Sequence, residues 1–334
     1  MESNYLCQGG FVAETENIAK MAEIISKDIF SWFKWHRRPI KNRNWDCVIE
    51  AHNKKTHPSD VVFYFHHPYK NCVKYLNVDL KSYSKGSITN QSIQSALQSL
   101  SKSVHCANIS PSWKKDFMLK HECDSEVDGL LFVYNHDDKY DSDFRSHFKG
   151  IDKKSLALQP DHLIHVFGPK DIALMVDIVT DIKSNVAEGV IKDKDSYSFY
   201  YPELVRYKVT GDEKNLPAIP EVLNSPWLII KHPLKDSFNY GFIIYYNEKG
   251  ETEEEFIYLL DYLSHNQILL GDYEIKMKFT RPCENASSNF DKARHYYLQA
   301  WGIDHYREQK IWRIGFDSIT NFSKKFYETE IGMD

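Results

Sequence analysis

His57-Pro58-Ser59-Asp60-Val61-Val62-Phe63-Tyr64-Phe65, followed by Leu76-Asn77-Val78-Asp79-Leu80-Lys81, is the stretch that decides the fold. Both segments are rich in β-branched and aromatic residues and read as strands. Pro68-Tyr69-Lys70-Asn71 between them is a Pro/Asn turn of hairpin size. If His67 pairs with Cys72 across that turn, paired numbers sum to 139 and Asp60 faces Asp79. Cross-strand partners hold their Cβ atoms about 4.5–5.5 Å apart. Side chains alternate along a strand, so Asp79 and Lys81 share a face. The inferred register therefore gathers two carboxylates and an ammonium on one patch. Two acids that close repel unless a cation lies between them, and hard oxygen ligands suit Mg²⁺.

An acid, a hairpin-length gap and then Asp-x-Lys resembles the PD-(D/E)XK nuclease superfamily. The acid here is Asp60, preceded by Pro58-Ser59 where the family pattern has proline directly before it. The resemblance implies an α/β, restriction-endonuclease-like mixed sheet flanked by helices. It also implies Mg²⁺-dependent phosphodiester hydrolysis, with Mn²⁺ as a substitute. On the matching positions, Asp60, Asp79 and the Leu80 carbonyl would ligate the metal, and Lys81 would position or help deprotonate the attacking water. A helix acid would complete the set. The run Tyr64-Phe65-His66-His67-Pro68-Tyr69 leading into Asp79-Leu80-Lys81-Ser82-Tyr83 also resembles the nuclease subunit of two-component bacterial anti-phage systems. That implies a second protein subunit, a homodimer, or both as partners.

Residues 11–33 carry the periodicity of a helix, with Phe11, Ile18, Met21, Ala22, Ile25, Ile29 and Phe33 near one face. At 100° per residue, Glu14 falls in the middle of that apolar stripe and Glu16 about 160° away. Glu14 is therefore the expected helix acid, against the plainer reading of an exposed acid in a favourable first turn.

The whole chain is ordinary for a globular protein of 334 residues, with 42% hydrophobic and 27% charged residues. Its six cysteines follow no disulfide-scaffold spacing, no apolar run nears the ~18–20 residues of a membrane span, and no signal-peptide layout opens it. A cytoplasmic protein is expected. A net charge of −5 argues against a general basic coat, so phosphate binding needs a local patch. Residues 34–55 hold seven cations against Asp46 and Glu50, with Trp35 and Trp45 interleaved. Lys34, Trp35, Arg37, Arg38, Lys41 and Arg43 are the candidate DNA contacts, by charge neutralisation and stacking. A solvated loop with packed tryptophans is the alternative.

Further along, residues 90–106, 171–183 and 253–265 read as helices, and 130–134, 163–167, 227–231, 240–246 and 273–279 as strands. Thr252 and Glu255 fit a capping box. Residues 291–301 and 318–327 also look helical. The nuclease domain is expected over 1–190, with a smaller α+β domain over 191–334 for a partner or for substrate positioning. No internal repeat stands out.

Cys47, His52, His57 and Cys72 assemble into a zinc set only at irregular spacing; the alternative is that they line the cleft beside Asp60. His66-His67 lies at the hairpin tip, about 20 Å along the strand from Asp60. The acidic loop 136–143 lacks the glycine and terminal Glu of an EF-hand. The functional expectation is an endonuclease acting on DNA, in anti-phage defence. An RNA- or tRNA-cleaving enzyme of the same fold, or a non-catalytic binding subunit, are the alternatives.

Overall fold

The computed structural model describes residues 20, 22–120, 124–202, 215–235, 238–302 and 304–320. The chain divides into two compact units. The first takes in residues up to His67 and Asn71–Ala173, the second Pro68–Lys70 and Leu174 to Phe322.

In the first unit, helix α1 occupies residues 22–32. Ala22, Ser26, Ile29 and Phe30 are buried along it, with Phe33 just beyond, and these follow helical spacing. Strands β1 (His36–Asp46), β2 (Thr56–His66), β3 (Val73–Tyr83), β4 (Ser125–Asn135) and β5 (Ile164–Phe167) then form one sheet in chain order. The first two pairings are antiparallel and the last two parallel. Antiparallel neighbours need only a turn, whereas the parallel step from β3 to β4 needs a crossover. Helices α2 (Asn90–Ala107) and α3 (Pro111–Phe117) supply it. Thr89 caps α2 by accepting from the Ser92 amide. Ile93, Leu97, Leu100 and Val104 pack α2 onto Leu131 and Val133 of β4. Gly129 permits this approach, because a Cβ there would stand 2.9 Å from Val104 Cγ2 and 3.1 Å from Leu100 Cγ. Lys74 of β3 is buried and pairs with Asp128 and Glu126 of β4, tying the parallel strands together.

Strand β1 was not legible as a strand. It is the sheet edge, it carries Pro39 and four cations, and its register shifts between Arg37 and Lys41. Charges, proline and bulges are how edge strands avoid further pairing, and they erase the usual alternation.

The second unit is built on the latter part of α4 (Pro169–Ala187). It holds β6 (Ser198–Phe199), α5 (Pro220–Leu223), β7 (Trp227–Pro233), β8 (Tyr240–Tyr246), α6 (Glu253–His265), β9 (Glu274–Phe279), α7 (Ala286–Trp301), α8 (His305–Trp312) and β10 (Gly315–Ser318). The unit boundary falls inside α4, ahead of the charged break near 190. Asp181 in the second half of that helix accepts from the Tyr245 hydroxyl and pairs with Lys278, which binds the helix to the second sheet. Residue 318, read as starting a helix, ends β10.

The second sheet repeats the first. Its order is β6-β7-β8-β9-β10, with two antiparallel pairings followed by two parallel ones. A helix crosses between third and fourth strands in both units. The repeat lies in topology rather than in residues, so nothing in the sequence displayed it. The hairpin strands β7 and β8 carry a single charged residue, Lys231, and no acid.

Trp35 is 3% exposed, its ring stacked on Phe30 at 4.3 Å and on Phe65 at 5.4 Å between centroids. This corrects its assignment as a base-stacking platform, since a ring inside the core offers no face to a nucleotide. Lys34, 8% exposed, is likewise no surface contact for DNA. Trp35→Ala is expected to cost about 3–5 kcal/mol of stability, as a large-to-small core change does. Urea denaturation of the full chain checks this; an unchanged midpoint would restore the surface reading.

Candidate active site

The hairpin has the register that alternation and turn length demanded. Val61 pairs with Val78, Phe63 with Leu76 and His66 with Val73, and the His67 amide donates to the Cys72 carbonyl at 3.1 Å. Continuing the ladder one step sets Asp60 against Asp79. Burial changes along β3: residues 73–78 are buried, whereas 79–83 are only partly so. The strand thus leaves the core just as it reaches Asp79.

Asp60 Oδ2 accepts from the Leu80 amide at 2.8 Å, which fixes its carboxylate over the β3 backbone. The Asp60 and Asp79 carboxyl groups lie within hydrogen-bonding reach of each other. Lys81 Nζ stands 2.6 Å from Asp79 Oδ1. All three groups therefore converge, with Asp60, Asp79, Asn77 and Pro58 lining a small cleft closed by Ser99 and Ser103 of α2. Behind the acids, the Ser59 hydroxyl donates to Asn77 Oδ1, Asn77 Nδ2 donates to Ser103 Oγ at 2.8 Å, and Ser103 donates to the Pro58 carbonyl. Trp45 and Trp113 each donate their indole N–H to Ser59 Oγ. This buried network locks β2, β3 and α2 at the level of the acids. Sequence reading missed it, although Ser59 and Asn77 flank the acids by one and two positions.

Burial, and next the charge of Asp79, push the Asp60 carboxyl from its ordinary 3.8 up to about 6. Burial works against the Lys81 ammonium, but Asp79 and Asp60 outweigh it and raise its pKa above the usual lysine value. Lys81 is thereby held as a cation at neutral pH. Two carboxylates forced together share a proton or a divalent cation, and a carboxylate pair is a hard-oxygen donor set. The residues fit Mg²⁺ or Mn²⁺. Glu14 lies outside the described residues.

The basic segment is less available than its composition suggested. Glu23 of α1 pairs with Arg37 and with Lys41, each at 2.9 Å, and Asp116 of α3 pairs with Arg43 at 3.1 Å. Arg38 donates to the Met118 carbonyl. Lys41 and Arg43 keep 47% and 58% of their side chains exposed, so they remain reachable.

A mixed sheet whose hairpin presents an acid against Asp-x-Lys defines a class, and residues 12–171 match a family model of that class: this part of the chain is a PD-(D/E)XK nuclease domain. The matching model is described as the GAPS4 protein PD-(D/E)XK nuclease domain. It spans all five strands of the first sheet and ends as α4 begins. No curated protein matches the chain.

The raised Asp60 pKa has a stability signature. Between about 4 and about 6 the folded state holds a proton that the unfolded chain has released, so stability falls as pH rises across that window. Above it, both states are ionised and this group adds no slope. Asp60→Asn should abolish this component, measured as the urea midpoint at several pH values in EDTA. Identical profiles for the two chains would show that Asp60 is not the titrating group.

Proposed function

We propose that the chain is a divalent-metal-dependent endonuclease acting on DNA in anti-phage defence. The single observation that carries the reading is the convergence of Asp60, Asp79 and Lys81 at the partly exposed end of the β2–β3 hairpin. In this reading Asp60, Asp79 and the Leu80 carbonyl hold the metal, with Glu14 as a further acid from the N-terminal helix. Bound there, a divalent metal supplies Lewis acidity and a water of lowered pKa. Lys81, kept protonated by its two acids, acts as a fixed cation that orients the attacking water and stabilises charge developing on the phosphate. Asp60 must lose its proton to ligate the metal, so proton and metal compete and the metal concentration needed for activity should rise as pH falls below about 6.

The defence role rests on the matching family, since GAPS4 is an anti-phage defence component. A second protein subunit, or a second copy of the chain, is the expected partner. The second unit repeats the nuclease sheet but brings no acid pair on its hairpin strands, which supports substrate positioning or partner binding rather than a second active centre. No helix among the described residues is long and apolar enough to cross a membrane, and a cytoplasmic location remains part of this reading.

Incubating the full chain with plasmid, linear phage DNA and RNA, in Mg²⁺, Mn²⁺ or EDTA, tests the function. DNA cleavage that needs metal is expected; metal-independent cleavage would overturn the mechanism, and cleavage of RNA alone would transfer it to the other substrate. Asp79→Ala and Lys81→Ala should each lower the rate by at least about 10²–10³-fold while leaving the fold intact by circular dichroism. Near-normal rates in either variant would remove that residue from the site.

For binding, Lys41 and Arg43 are the exposed cations among the candidate DNA contacts. Replacing both with Ala should weaken DNA affinity equally across sequences and flatten its salt dependence by roughly 0.9 log unit per lost phosphate contact. Affinity measured at several salt concentrations checks this, and an unaltered slope would place the DNA track elsewhere.

A further inference from the structure

Behind the acid-bearing strands lies a second cluster with a different donor chemistry. Cys47 follows β1, His52 ends a single 3₁₀ turn at Glu50–His52, His57 is the second residue of β2 and Cys106 sits near the C-terminus of α2. One ligand atom from each of the four lies within 4.8 Å of every other. His52, His57 and Cys106 are buried, and Cys47 is partly so. Cys72 is not among them. From these four residues we infer a structural zinc site, Cys47-His52-His57-Cys106, that clamps the β1–β2 connection to the end of α2.

The spacings of the donors carry the inference. With Zn–S of about 2.3 Å and Zn–N of about 2.0–2.1 Å, a tetrahedral centre has edges of about 3.8 Å between sulfurs, 3.3 Å between nitrogens and 3.6 Å between unlike donors. The corresponding separations are 3.9 Å for Cys47 Sγ to Cys106 Sγ and 3.2 Å for His52 Nδ1 to His57 Nε2. Cys47 Sγ lies 3.1 Å from His57 Nε2 and 3.7 Å from His52 Nδ1. Two thiolates and two imidazoles in a tetrahedron select zinc over the hard cations of the acid pair. All four positions are filled from the chain, so the centre is closed and leaves no place for a reacting water.

The surroundings match a metal centre too. The Val48 amide donates to Cys106 Sγ at 3.3 Å, which favours its thiolate. The other nitrogen of His52 faces His105 Nδ1 at 3.2 Å, and His105 Nε2 in turn faces the Gln159 side-chain amide at 3.3 Å. Such outward relays orient metal-bound imidazoles. The clamp bears on the acids through two short routes. His57 lies three residues before Asp60 on β2, and Ser103, one helical turn before Cys106, holds Asn77 and the Pro58 carbonyl.

The test is metal analysis of the full chain, grown with zinc and exchanged into metal-free buffer. About one tightly held zinc per chain is expected, with release coupled to loss of stability. Because the acid pair also binds divalent ions, the Asp79→Ala chain is analysed alongside and should keep this zinc. Cys106→Ser and His52→Ala should lose it, whereas Cys72→Ser should retain it. Cobalt substitution of the wild-type chain should give thiolate-to-cobalt charge-transfer absorption and the intense bands of a tetrahedral centre, a readout that stands even if the cysteine variants fail to fold. Absence of thiolate–cobalt absorption in the folded wild type would overturn the assignment. So would dependence of that absorption on Cys72, or a Cys47–Cys106 disulfide in the native metal-free protein.

Discussion

Everything at the candidate active centre depends on the register of one β-hairpin. Because side chains alternate with period two, slipping β2 against β3 by one residue would turn Asp60 into the core and away from Asp79. The ladder from Val61–Val78 to His66–Val73 prevents the slip by burying Val61, Phe63, Phe65, Tyr75 and Leu76. The apolar core thus imposes an electrostatically unfavourable contact between two carboxylates. Its cost appears in the raised Asp60 pKa, and it is offset by Lys81, by the Leu80 amide and by any cation that enters.

The acids are also supported from behind. Ser59 and Asn77 stand one and two residues from the acids; Ser59 donates to Asn77, which donates to Ser103, so α2 cannot shift without disturbing the cleft. Gly129 brings that helix close to β4, and Cys106 lies at its far end beside Cys47 and the two histidines. A soft-ligand cluster and a hard-ligand pair therefore sit at neighbouring levels of the same strand–helix packing, with His57 close before Asp60 and Cys106 one turn beyond Ser103. The contrast in donor type would keep their metals distinct: sulfur and imidazole against carboxylate oxygen.

The two sheets share strand order and direction yet differ in what their hairpins carry. In the first, the exposed end of β3 holds Asp79 and Lys81; in the second, β8 runs Tyr240-Gly241-Phe242-Ile243-Ile244-Tyr245-Tyr246, buried apart from Tyr240. One topology therefore supports a polar cleft in one unit and a continuous apolar core in the other. Fold alone does not assign chemistry to a unit. At the edge of the second core Asp181 is satisfied by Tyr245 and Lys278.

Local patterning was enough to determine the hairpin, its register and the helices α2, α4 and α6. In those segments turn chemistry, alternation and caps such as Thr252 with Glu255 all act within a few residues. The Asp60, Asp79 and Lys81 patch followed from the same short-range geometry. Partners distant in sequence were decided by the tertiary structure alone. Trp35 looked like a surface aromatic among cations until Phe30 and Phe65 closed over it. Arg37 and Lys41 looked free until α1 brought Glu23 between them. Cys72 was the nearer candidate for a metal set, but it sits beside the hairpin turn, while Cys106 reaches Cys47 from 59 positions away because α2 folds back across the sheet. Local rules see spacing along a chain; burial, ion pairing and metal geometry depend on distances that only the packed sheet and helices create.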